Sequence, residues 1–119
     1  MGYYKLGPNH EIIPVYDVLE WGEWFESMDN RRVAETDVAG FHVSTVFLGL
    51  DHGLLDDARA VLFETMVFDG DWSDVRCERC CTWAEAERQH ARLVREIETA
   101  GKLAAKHAGA AKPTPEPKP

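Results

Sequence analysis

The side chains best suited to chemistry in this 119-residue sequence fall in two places. The first is "CERCC", which holds all three cysteines, Cys77, Cys80 and Cys81. A structural zinc site takes four ligands, and a C-x2-C pair needs a second Cys or His pair at a fitting distance. Only His90 and His107 follow, both inside a helical pattern. An extended segment would set Cys77 and Cys81 ~13 Å apart on one face and turn Cys80 to the other. The spacing therefore predicts half-buried thiols and no bound metal.

The second place is Asp51-His52, closing one apolar run, with Glu64 inside the next. A symmetric loop between the runs brings Leu48 near Glu64, which then shares a face with Val46, Leu62, Met66 and Phe68. Desolvation there raises a carboxylate's pKa unless a cation pairs with it, and Arg32 and Arg79 are the available cations. With Asp51, His52 and Glu64 in one cleft, His52 is a candidate general base. With an arginine on Glu64, the group is structural. A one-residue slip in register turns Glu64 to the opposite face, so the pairing decides. "HEIIP" (10–14) ends on Pro14 where a zinc hydrolase needs its second histidine, and there is no phosphate-cradling glycine loop or G-x-S-x-G elbow. No cofactor is expected.

The elements that must position these groups read as α+β. "YYKLGPNHEIIPVY" gives two short extended pieces around Gly7-Pro8-Asn9. Asp17 and Glu20 form a D-x-x-E capping box opening a helix through "VLEWGEWFESM", with Val18, Trp21, Phe25 and Met28 on one face and Asn30 as its stop. "RRVAETDV", "FHVSTVFLGL", "VLFETMVF" and "VRCERCC" are rich in β-branched and aromatic residues and are joined by connections too short for parallel crossovers. They predict an antiparallel meander of about four strands. Thr82 and Glu85 open a last helix whose seam runs Trp83, Ala86, His90, Leu93, Ile97, Ala100 and Ala104. His90, inside that seam, reads as a core histidine bonded to one partner. The two capped helices are expected on the sheet, within a single domain over 1–108. The tail 109–119, rich in proline and lysine, is expected to be flexible.

Blocks of this chain resemble a family of small uncharacterised proteins of tailed bacteriophages and prophages. They are "VSTVFLGLDH" (43–52), "LFETMVF" (62–68) and "TWAEAERQH" (82–90), with weaker likeness in "WGEWFE" (21–26) and "RRVAETDV" (31–38). The resemblance covers roughly residues 12–90. It implies a phage or prophage origin and no particular activity. Where the family pattern has R-Y-S-T-W, this chain has "RCCTW", so Cys80 and Cys81 replace a tyrosine and a serine. Gln89 likewise replaces the family's glycine before His90.

Charge narrows the functions further. The formal net charge is −8, and four lysines after Ala100 make the body more acidic than the total. Such a body repels phosphate backbones, which excludes nucleic-acid binding through the globular part. No run is long and apolar enough for a membrane span, and "MGYYKLGPNH" lacks the apolar core of a signal peptide. The cytoplasm of a bacterial host is the expected compartment.

The first helix carries no basic residue, and Glu20, Trp21, Glu23, Trp24 and Glu26 are the candidate binding surface. The function expected is that of a small acidic phage or prophage accessory protein. It would be a non-enzymatic module binding a host or phage protein, for instance blocking a nucleic-acid-binding host factor by mimicking phosphate charge. The alternatives are a small enzyme around Asp51, His52 and Glu64, or a minor structural or assembly protein of the particle. The last helix offers a surface for a homo-oligomer.

Overall fold

The computed structural model describes residues 2–51 and 59–110, with residues 104–110 as backbone only. The chain begins with a hairpin, β1 (Tyr3–Leu6) and β2 (Ile12–Val15). Two helices follow, α1 (Val18–Glu26) and the single turn α2 (Met28–Arg31). The main sheet is β3 (Arg32–Val38), β4 (Phe41–Phe47), β5 (Phe63–Phe68) and β6 (Asp74–Cys80), and α3 (Trp83–Ala110) closes the order. All neighbouring strands are antiparallel in the order β3-β4-β5-β6, the meander expected from the sequence. The fold is α+β, with a second, two-stranded sheet formed by β1 and β2. The expected tail, 109–119, lies outside the described residues from 111 onward, and α3 occupies its first two positions.

Period-two burial organises the main sheet. Val43, Thr45 and Phe47 on β4, with Phe63, Thr65 and Val67 on β5, turn inward and are buried. Helix α3 covers this face with Ala86, His90 and Leu93, which recur at steps of three and four and are buried in turn. Two apolar clusters result. One joins Phe47, Leu62, Phe63 and Ala86; the other joins Val43, Val67 and Leu93. A ring of ion pairs clamps the helix to β6. Arg76 and Arg92 each contact both Glu78 and Glu96.

Helix starts follow the capping chemistry of the sequence. Glu85 N donates to Thr82 Oγ1 at 3.1 Å, while Glu85 Oε1 accepts from Thr82 N at 3.2 Å and Cys81 N at 3.0 Å. Asp17 Oδ1 accepts from Leu19 N and Glu20 N, but Glu20 does not complete the box. Its carboxylate is drawn instead to Lys5 Nζ on β1, 3.0 Å away.

Helix α1 departs from its expected seam. It stops at Ser27, and no residue of it is fully buried. Val18 and Met28 are exposed, because the small β1–β2 hairpin shelters only the middle of the helix. There Trp21 Nε1 donates to Tyr4 O at 2.9 Å, and its ring lies against Tyr3 and Phe25. Gly49 permits this packing: its φ is +76°, and a Cβ would sit 3.2 Å from both Trp21 and Phe25. Trp24 carries α1 to the main sheet, meeting Phe47 edge-on at 5.7 Å. His10, in the hairpin loop, stacks on Trp83 at the start of α3.

Candidate functional site

Strand register places Glu64 opposite Val46 on β4 and Arg79 on β6, two residues from the expected Leu48. The shift is even, so Glu64 keeps its expected face with Val46, Met66 and Phe68, the face α3 leaves uncovered. Leu62, expected there too, precedes β5 and is instead buried in the core with Phe47, Phe63 and Ala86. Its carboxylate is bonded by Arg79, with Nε and Nη2 each 2.9 Å from Oε2. The thiol of Cys77 lies 3.5 Å from the same oxygen. Of the two available cations, Arg79 on the adjacent strand is thus the one that pairs with Glu64. Asp51 caps the far end of the same two strands, its Oδ1 accepting from Val61 N at 2.9 Å. His52 lies outside the described residues. Both described carboxylates of the candidate acid–base site therefore hold structural partners.

The cysteines are divided by the pleat of β6. Cys77 faces Glu64 on the uncovered face and is exposed rather than half-buried, whereas Cys80 turns toward α3, 3.6 Å from Gln89 Oε1, and is half-buried as expected. Burial pushes the Cys80 thiol up to about 11, with the negative charge of Glu85 adding to the effect. Burial, with the charge of Glu64, raises Cys77 as well. Both remain protonated near neutrality, and the thiolate is the reactive and ligating form. Among the described residues no three metal-ligating side chains converge.

The least expected polar feature is buried. His90, at 6% exposure, contacts Thr36 Oγ1 through Nε2 and Thr45 Oγ1 through Nδ1, each at 2.8 Å. Thr45 Oγ1 is 2.6 Å from Thr65 Oγ1, and Thr65 donates to Gln89 Oε1 at 3.1 Å. The directions follow by counting protons. Thr65 gives its proton to Gln89, so Thr45 must donate to Thr65 and accept from His90 Nδ1–H. Nε2 is then the acceptor, and Thr36 donates to it. A single neutral tautomer satisfies the whole chain of groups. Burial lowers the His90 pKa, and the nearby His42 lowers it further. Thr45 and Thr65 have no exposed surface, so this network orders the core and cannot meet a substrate from solvent. The sequence placed His90 in the core with one partner; it has two, because its threonine partners lie 45 and 54 residues away.

The candidate binding face on α1 divides into two sides. Trp21 and Trp24 turn toward the hairpin and the core, while Glu23 and Glu26 are exposed. The aromatic and apolar part of the outer side comes from Tyr16 and Leu19, which the sequence did not single out, and from Val18, which it placed on the packed face. Tyr16 is 93% exposed, Leu19 78% and Val18 51%. Tyr16 precedes the N-cap, where an apolar residue often packs back onto the first turn of the helix. Here Tyr3 occupies that side of Trp21, and Tyr16 points to solvent. Only the placement of the hairpin makes this visible.

No protein family, curated protein or solved structure matches this chain. No helix among the described residues is long and apolar enough to cross a membrane.

Proposed function

We propose that this chain is a small, non-catalytic protein-binding module of phage or prophage origin, acting in the cytoplasm of the bacterial host. It takes a basic partner protein on the outward side of α1. The observation that carries this reading is the exposure of Tyr16, Val18 and Leu19 beside Glu23 and Glu26, on a helix with no basic residue. Apolar and aromatic side chains supply contact area, and the carboxylates steer a positive surface toward them. A host factor that ordinarily binds nucleic acid presents such a surface. The enzyme reading has less support, since Glu64 is held by Arg79 and Asp51 by the Val61 amide.

The test compares the immobilised protein with its Glu23→Lys/Glu26→Lys and Leu19→Ser variants in host lysate. Bound proteins are identified by mass spectrometry and then titrated in purified form. A basic protein should bind the wild type and bind the lysine variant at least about tenfold more weakly. The difference should widen at about 50 mM salt and narrow at about 500 mM. Unchanged melting temperatures show that the variants are folded. Equal binding by wild type and both variants overturns the reading.

A further inference from the structure

Among its described residues the acidic chain carries a concentrated basic surface. A groove of about 620 Å³ between β6 and the first half of α3 is lined by Arg59, Arg79, Arg88, Arg92 and Arg95, against one carboxylate, Glu85. Arg79 is held by Glu64, Arg59 by Glu85, and Arg92 by Glu78 and Glu96. Arg88 and Arg95 are exposed and hold no carboxylate among the described residues. They stand seven residues apart on one helix, which is two turns, or about 10.5 Å, along a single face. Two discrete guanidinium groups at that spacing suit two or three carboxylates along another helix. Glu78, Glu85 and Glu96 around them would repel the unbroken phosphate row of a nucleic acid.

The chain contains such a helix. On α1, Leu19, Glu23 and Glu26 follow the same i, i+4, i+7 spacing as Arg88, Arg92 and Arg95, and all three are exposed. We infer that the arginine ridge of α3 docks the acidic face of α1 from a second copy of this chain. The two helices run antiparallel, with Glu26 between Arg88 and Arg92 and Glu23 beside Arg95, so that each free guanidinium meets a carboxylate. This direction sets the negative end of one helix dipole beside the positive end of the other. The contact joins two different surfaces, so a pair keeps one of each free and association continues past a dimer unless it closes into a ring. Two helical turns bury far less than the ~800 Å² per partner of a stable interface, so the association is weak and salt-sensitive. The inference rests on the reading of α1 as a contact face. Self-association and capture of a basic partner then compete for it.

Sedimentation equilibrium on the full chain tests this. At about 50 mM salt the weight-average mass should rise with concentration, and at about 500 mM it should return to that of one chain. Glu23→Arg/Glu26→Arg and Arg88→Glu/Arg95→Glu should each be monomeric, because each places like charges on both surfaces. An equimolar mixture of the two should associate again, since opposite charges meet once more. A wild type that stays monomeric at all concentrations overturns the inference, as does a mixture that stays monomeric. Monomeric wild type that binds polyglutamate through Arg88 and Arg95 also overturns it, assigning the ridge to a separate acidic partner. Arg88→Glu/Arg95→Glu should still capture the basic partner, so failure of self-association is distinguishable from failure of the proposed function.

Discussion

His90 is the residue at which burial, hydrogen bonding and pH meet. Its proton-accepting Nε2 faces a threonine hydroxyl and no carboxylate, so the folded chain favours the neutral ring. The folded pKa is therefore below the unfolded one, and as pH falls the unfolded chain takes up the proton first. The contribution of His90 to stability is complete above about pH 6.5 and is lost as pH falls from there toward the folded pKa. Chemical denaturation of wild type and His90→Gln at several pH values isolates this contribution. The stability gap between them should shrink from pH 7 to pH 5, and a constant gap would show that His90 does not titrate in the fold. The same geometry makes Thr45→Val costly despite its similar shape. It removes the acceptor for His90 and the donor to Thr65, each worth about 1–3 kcal/mol when left buried and unpaired.

At the level of elements, the two predicted helix starts differ in how completely the sequence signal is used. The Thr82–Glu85 box forms in both directions and also satisfies the Cys81 amide, so it closes β6 onto α3 as well as capping a helix. Thr82→Ala should cost about 1 kcal/mol in urea denaturation, the usual loss for a capping hydroxyl. No measurable change would mean that Glu85 alone holds the start of α3. At α1 only the Asp17 half forms, because Lys5 competes for Glu20. That competition was not legible locally, since Lys5 reaches α1 through hairpin pairing. The Glu64 register was legible to within two residues, and parity kept the side chain on its expected face. Its pairing with Arg79 rather than Arg32 was decided by β6 lying next to β5, with β3 on the far side of β4.

Over the whole molecule, Phe47 reinforces a join that the His10–Trp83 stack and the Tyr4–Gly49 backbone bond also make. It is fully buried, touches Trp24 of α1 and Phe63 of β5, and so joins the hairpin and α1 to the sheet and α3. Phe47→Ala should cost about 3–5 kcal/mol, a large part of a small domain's stability. In the wild type, helix content by circular dichroism and tryptophan fluorescence should change in one coincident thermal transition. Two separated transitions would show that the hairpin and α1 melt on their own. The charge distribution belongs to this scale too. A net charge of −8 describes the chain as a whole, yet α3 gathers arginines on one ridge while α1 keeps carboxylates alone.

Sequence by itself determined the α+β class, the antiparallel order of the main strands, the two capped starts and the core seam of α3 as far as Ile97; Ala100, expected to continue it, is exposed. These are local properties: alternation with period two, recurrence with period 3.6, and side chains that bond amides three residues away. Tertiary structure decided which partner each polar group takes. Glu64 met Arg79, Glu20 met Lys5, and His90 met two threonines, all across long separations in the chain. It also decided that Tyr16 and Leu19 face solvent while Trp21 and Trp24 do not. Exposure depends on what packs against a helix, and the spacing of residues along α1 carries no record of where the β1–β2 hairpin lies.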